Sequence, residues 1–271
     1  PPGWNGKPWA CWQGAQRARS PLLLFLDADT ELEDNGLARI VEEYRRERGP
    51  LSVQPWHAME RPFEQLSAFF NIVLMMGTHV FTPLGRRLAP RAFFGPCQVM
   101  SRQEYQAVGG HQAVKGSVLE DLALGRAFAA AGLPVRCMGG RGAIRFRMYG
   151  GGVRELVEGW SKGFAAGAGS TGLVPLLLTV LWVSGAAGST VSLLQAPLNG
   201  QPLLQPLAFY LLFGLQVYWM LARIGSFSPL QVVLFPLPLL FFVLVFARAL
   251  VVTYGLKRVK WKGRVISTRG K

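Results

Sequence analysis

Two regimes of apolar patterning divide the chain. Through the first 171 residues apolar runs are short and bounded by breakers; from 172 onward they lengthen to about 20 residues each. In the first regime, Trp9, Trp12 and Ala15 recur at helical spacing and predict a helix from Lys7 to about Arg19. Leu22 to Leu26 is a continuous apolar run, which predicts a strand buried on both faces. Leu37, Ile40, Val41 and Tyr44 share one face of a helix from Gly36 to Arg48, with Asp34 or Asn35 as its cap. Leu51 to Pro55 reads as the next strand, so strands and helices alternate as in an α/β domain with a partly parallel sheet. Residues 63–81 form a broad apolar helix, either a core element or one lying in a bilayer interface; the apolar spans that follow favour the interface. Ala92 to Met100 is a strand entered through a Gly-Pro turn. Ser101 with Glu104, and Ser117 with Glu120, both have capping-box spacing and open helices. Gly132 closes the second of these. Residues 135–138 and 143–147 are strands, Gly150 to Gly152 is a hinge, and an amphipathic helix runs from Val153 to about Ala166.

In the second regime, residues 172–194, 203–222 and 229–253 are each long enough to cross a hydrocarbon core of ~30 Å. Charge sharpens the division. All 15 Asp and Glu precede residue 172, whereas the last 100 residues carry 9 Lys and Arg and no acid. Most of the net charge of +14 therefore collects beside apolar spans, which points to anionic lipid rather than nucleic acid as the counter-charge. Cys11, Cys97 and Cys137 show no paired spacing, and His57, His79 and His111 are scattered. Neither a disulfide framework nor a zinc site is indicated.

Candidate chemistry begins where the first strand ends. Asp27 and Asp29 follow Leu26 at the strand's C-terminal edge. If the segment stays extended, both carboxylates point the same way. Two hard oxygen ligands on one side suit a divalent cation that keeps positions open for phosphates. Glu120 and Asp121 fall in the first turn of a helix, where the dipole favours charged carboxylates; Asp121 is a candidate general base. Lys7, Arg154 and Lys162 are candidate cations for a leaving diphosphate.

The segments from Gly3 to Ala10, Leu24 to Thr30, Gly95 to Cys97, Gly109 to His111 and Leu119 to Leu122 come in the order found in membrane-bound family 2 glycosyltransferases of the GT-A fold, which the chain resembles. Phe146 to Gly151 and Glu158 to Lys162 narrow the resemblance to the carotenoid-pathway members, with hopanoid and ceramide glucosyltransferases as near relatives. The resemblance implies that Asp27 and Asp29 hold Mg²⁺ or Mn²⁺ against the diphosphate of a nucleotide sugar, UDP-glucose foremost. It implies further that Asp121 is the catalytic base beside Glu120, that Lys7 lies on the donor side, and that Arg154, Trp160 and Lys162 occupy the place of the Gln-x-x-Arg-Trp motif of processive synthases. Gly159 stands where that motif has Arg, which favours a single sugar transfer.

The expected architecture is part of a GT-A domain over 1–150, an amphipathic interfacial helix over 151–171, transmembrane helices over 172–256 and a basic cytosolic tail over 257–271. No counterpart of the family's first uridine-binding β-α-β unit is found, so the chain reads as incomplete at its N-terminus and is expected to bind donor poorly. The expected activity is inverting, metal-dependent transfer of a hexose to a lipid-soluble acceptor such as a carotenoid acid, at a multi-pass cell-membrane protein with its catalytic part in the cytosol. A polysaccharide synthase and an inactive membrane scaffold are the alternatives. The basic residues 257–264 place the tail in the cytosol as well. An even number of crossings is then required, so one of the three runs must be re-entrant, interfacial or split; Pro236 and Pro238 mark one place for a break.

Overall fold

The computed structural model describes residues 1–78, 93–117, 119–170, 172–251, 258–261 and 264–267, with side chains except for 162–170 and the last two segments. Along the chain, helix α1 (Gly6–Arg17), strands β1 (Leu22–Leu26) and β2 (Thr30–Leu32), helix α2 (Gly36–Arg46), and strands β3 (Leu51–Gln54) and β4 (Trp56–His57) come first. A 3₁₀ helix (Pro62–Ser67) leads into α3 (Ala68–Gly77). Then follow β5 (Cys97–Ser101), α4 (Arg102–Ala107), α5 (Gly110–Ala113), α6 (Glu120–Ala130), β6 (Arg136–Gly139) and β7 (Ile144–Phe146). The remainder is α7 (Val153–Ser170), α8 (Leu173–Gln195), α9 (Leu204–Leu221), α10 (Gln231–Leu234), α11 (Pro236–Leu250) and a hairpin of β8 (Arg258–Trp261) and β9 (Arg264–Ser267). The predicted end of the 63–81 helix, the strand residue Ala92, Val118 and the tail side chains lie outside the described residues.

The chain forms two units. The first is Pro1–His57 with Thr78–Phe146; the second is Ala58–Gly77 with Arg147–Lys271. In the first, a four-stranded sheet has the order β1-β5-β3-β6. Only the β3/β6 pair is parallel, so the sheet is mixed as the alternation of elements predicts. A smaller sheet, β2-β7-β4, continues from it. Leu23, Phe93, Met100, Tyr105, Leu124 and Phe128 form one apolar cluster. Ile40, Leu51, Val53, Cys97, Val99 and Ile144 form another. The strand expected to be buried on both faces is only partly so. Leu23 is buried at 5% exposure but Leu26 is 40% exposed; among the described residues β1 pairs with β5 alone.

Local signals set the helix ends. At Ser101 the capping box forms in full: Ser101 Oγ accepts the Glu104 N–H at 3.0 Å and Glu104 Oε2 accepts the Ser101 N–H at 2.7 Å. Gly132 takes φ +73°, and the Leu133 N–H donates to the Phe128 carbonyl, which closes α6 as a glycine C-cap does. The second predicted capping box is not made. Helix α6 starts at Glu120 behind Leu119, with no side-chain cap, because Glu120 turns toward Lys7 instead.

In the second unit, α3 is a core helix, which corrects its assignment to a bilayer interface. Phe69, Phe70 and Ile72 are at most 1% exposed because helices surround them. Phe70 stacks on Trp160 at 4.8 Å and meets Phe242 edge-on at 5.0 Å, while Phe69 packs on Trp182. A buried carboxylate fastens the start of this unit. Glu64 Oε2 accepts the Glu60 and Arg61 N–H groups at 2.6 and 3.0 Å. Glu64 Oε1 accepts Arg147 Nε and Nη2 at 2.9 and 2.6 Å. Burial pushes the Glu64 carboxyl up, but those backbone and guanidinium donors outweigh it and hold it below its ordinary value.

Among the described residues two helices, α8 and α9, have the length and apolar composition to cross a membrane. The third apolar run does not stay whole. It divides at Phe235–Pro236 into α10 and the 15-residue α11, at the predicted break, because Pro236 has no N–H to continue the helix.

Candidate active site

Three element ends converge in the first unit. The Asn5 side-chain amide donates to the Ser117 carbonyl at 2.8 Å and the Asn5 N–H donates to the Lys115 carbonyl at 3.0 Å. These bonds pin the start of α1 to the loop that leads into α6. Trp4 and Trp9 pack edge-on at 5.1 Å beside them. Lys7 in the first turn of α1 therefore meets Glu120 and Asp121 in the first turn of α6. The third contributor is Asp27, just past β1, whose N–H donates to the Pro96 carbonyl at 3.0 Å.

Lys7 joins them. Its Nζ lies 2.7 Å from Asp27 Oδ1 and 3.6 Å from Glu120 Oε1. Burial would lower its pKa, but the hydrogen bond to Asp27 and the charges of Asp27, Glu120 and Asp121 more than offset this, and the ammonium is held above its ordinary range. Asp121 is shifted the other way. Burial, then the neighbouring Glu120 charge, push its carboxyl up against the opposing Leu122 N–H, which Oδ1 accepts at 2.9 Å, and against Lys7. A carboxylate raised in this manner is a stronger proton acceptor than an exposed one.

Asp27 and Asp29 do not lie on an extended segment. The Thr30 N–H and hydroxyl both donate to the Asp27 carbonyl, at 3.2 and 2.7 Å, and close a tight turn between β1 and β2. Asp27 is half-buried and Asp29 exposed on that turn. The donor set is two hard carboxylates, chemistry that fits a divalent cation with its other positions left to phosphate and water. Among the described residues no group of three or more His, Cys, Asp or Glu is gathered as a metal site.

Gly95 was given no role by its sequence motif, and its position is the signal that the motif lacked. A Cβ there would lie 3.0 Å from Asp121 Oδ2 and 3.0 Å from Lys7 Nζ, so only a glycine leaves this approach open. His111, read as scattered, is packed behind the site. Its N–H donates to the Tyr105 hydroxyl, which also lies 3.0 Å from Nδ1, and Phe25 meets its ring at 5.0 Å. Burial, then the charge of Lys7, lower its pKa to about 4. The thiols are protonated bystanders: burial pushes Cys97 up to about 12 and Cys137 up to about 11.

The remaining candidates belong to the second unit. Arg154 is 94% exposed and pairs with Glu158 at 3.1 Å, one turn on. Trp160 is a core residue between Phe70 and Tyr149. Lys162 lies in α7, and its side chain is outside the described residues. Gly159 admits the Tyr149 ring: a Cβ there would sit 2.1 Å from Tyr149 Cε1, and Tyr149 meets Trp160 edge-on at 5.7 Å.

Comparison with known proteins identifies the family. The profile of glycosyl transferase family 21 matches residues 1–140, which include Lys7, Asp27, Asp29, Gly95, Glu120 and Asp121. The 4,4'-diaponeurosporenoate glycosyltransferase of Staphylococcus haemolyticus (strain JCSC1435) is 36% identical over 273 residues, covering 98% of this chain and 72% of the relative. Its namesake in Staphylococcus aureus (strain USA300) is 35% identical over 268 residues, covering 97% and 72%. The resemblance drawn from motif order to family 2 enzymes of the carotenoid pathway leads to these same relatives. The match spans both units, and the chain belongs to glycosyl transferase family 21 and is a glycosyltransferase.

Proposed function

We propose that this enzyme transfers a hexose from a nucleotide sugar, UDP-glucose foremost, to a carotenoid acid, with inversion, at a divalent-cation-dependent site of GT-A type. The single observation that carries the reading is Lys7, whose ammonium ties the Asp-Ala-Asp turn to the Glu120-Asp121 helix start. Donor-side and acceptor-side carboxylates are thereby held in one cluster. The carotenoid acid comes from the name carried by the relatives. Asp27 and Asp29 would hold Mg²⁺ or Mn²⁺, which when bound neutralises the donor diphosphate. Lys7 adds a positioned charge for the departing nucleoside diphosphate. Asp121 faces the acceptor and takes the proton of an attacking hydroxyl; an acceptor that is already a carboxylate needs little such help. Gly159 before Trp160, where the motif of processive synthases has Arg, supports a single transfer, and the Tyr149 ring leaves no room there for a side chain. The apolar exposed faces of α8 and α9 support anchorage in the cell membrane, and the basic residues 257–264 after the last apolar run support a cytosolic catalytic side.

The test is glucosyl transfer from UDP-glucose to 4,4'-diaponeurosporenoate by the detergent-solubilised chain extended at its N-terminus by a uridine-binding unit, with Mg²⁺ and with EDTA. Transfer that needs the metal and is abolished in Asp27→Asn is the expected result. No transfer, or transfer indifferent to EDTA and to Asp27→Asn, rejects the reading.

A further inference from the structure

We propose that Lys7 is a placeholder for the divalent cation: its ammonium holds Asp27 when no metal is bound, and moves onto Glu120 as metal and donor arrive. The inference rests on the metal-dependent reading above and adds an exchange to it. Lys7 Nζ sits at full hydrogen-bond distance, 2.7 Å, from Asp27 Oδ1, an oxygen that a metal would use. A divalent ion binds a carboxylate oxygen at ~2.1 Å. Ion and ammonium sharing Asp27 would then be held within about 5 Å of each other, where like charges repel. The lysine has somewhere to go. Glu120 Oε1 is 3.6 Å from the same nitrogen and Asp121 acts on it electrostatically, so a small swing of the flexible stem exchanges one carboxylate for another. Gly95 leaves room beside Nζ for that swing, since a Cβ there would already lie 3.0 Å away.

The exchange has a functional consequence. A lysine released from Asp27 is free to pair with the diphosphate that the cation brings, so metal and donor binding are coupled through one side chain. In the metal-free enzyme, the same pairing keeps the two acidic groups from repelling each other.

The experiment is titration of the full chain in detergent with Mn²⁺ alone, read by electron paramagnetic resonance, without nucleotide. Lys7→Met should bind Mn²⁺ about fivefold more tightly than wild type, the gain from abolishing a competing half-exposed ion pair. Lys7→Gln should behave alike and stands in if the Met variant does not fold. Glu120→Gln, which removes the alternative seat, should weaken Mn²⁺ binding more in wild type than in the Lys7→Met background. Unchanged or weaker Mn²⁺ binding in both Lys7 variants, with Asp27→Asn still abolishing it, overturns the exchange and leaves the metal site standing. Mn²⁺ binding indifferent to Asp27→Asn overturns the metal reading itself and this inference with it.

Discussion

Substituting Gly95 by alanine tests whether the Lys7–Asp121 approach lies at the reacting centre. The added methyl would stand 3.0 Å from Lys7 Nζ and from Asp121 Oδ2. Ordinary carbon contacts begin at about 3.5 Å. One neighbour must therefore yield by a few tenths of an ångström. Asp121 is short, and its Oδ1 accepts the Leu122 N–H at 2.9 Å, so it has little freedom. Lys7 is long and yields, so its ammonium is displaced from the place beside Asp27 and Glu120 from which it would meet the diphosphate. A misplacement of about 1 Å at a catalytic group can cost on the order of 100-fold. A shift under half that size should cost about tenfold in kcat/KM, or about 1.4 kcal/mol. Stability should change by less than about 1 kcal/mol, because a flexible lysine end absorbs the contact. The assay is steady-state glucosyl transfer by wild type, Gly95→Ala, Lys7→Met and the double variant, with thermal unfolding alongside. In the Lys7→Met background the alanine should cost much less, since the group it displaces is gone. Full activity of Gly95→Ala would refute the reasoning. A loss of the same size in both backgrounds would place the damage at Asp121 instead.

Two further outcomes follow from the charges around the site. His111 has a folded pKa of about 4 against an ordinary 6.5, so between those values the unfolded chain binds more protons. Stability is then fully present above pH 6.5 and falls as pH drops toward 4, by about 3 kcal/mol if the whole shift is expressed. Denaturant midpoints at pH 7 and 4.5 should converge in His111→Gln, and parallel curves for the two proteins would contradict the assignment. Asp121→Asn should be nearly inactive on a hydroxyl-bearing acceptor yet keep measurable transfer to a carboxylate acceptor. Equal loss on both, measured by product mass, would remove its role as a base.

Features fixed by neighbours in sequence could be read from the chain; those fixed by distant partners could not. Ser101 and Glu104 are three residues apart and form the capping box their spacing predicts. Gly132 takes the left-handed conformation that ends α6. The same spacing at Ser117 and Glu120 misleads, because Lys7, far away in sequence, draws the Glu120 carboxylate instead. The Asp-Ala-Asp pair announces acidic chemistry after a strand, but the turn that carries it is set by Thr30 donating twice to one carbonyl. Apolar pattern identifies β1 without telling an edge strand from a central one, since pairing partners are not encoded in the run itself. Arg147 reads as part of a family signature, and its partner Glu64, 83 residues away, shows that it fastens the second unit.

Under the proposed membrane anchorage, one proline in the apolar C-terminal region would remove a conflict of topology. Three runs of spanning length would put the catalytic part and the basic tail on opposite sides of a membrane. Pro236 shortens the third, and α9 accommodates the break. Gly214 lies so close to the Val232 carbonyl that a Cβ would sit 1.9 Å from it, and the Tyr210 hydroxyl donates to the Val233 carbonyl. Both are polar groups near a helix break that lipid would leave unsatisfied. Meanwhile α8 and α9 keep apolar side chains exposed, Leu181 at 67% and Leu212 at 61%, which is compatible with the proposed membrane anchorage. Under the proposed membrane anchorage, two crossings return the chain to the side it left. Catalytic unit and basic tail then share the cytosolic face, and α10 and α11 need not cross for the charges at 257–264 to obey the positive-inside rule.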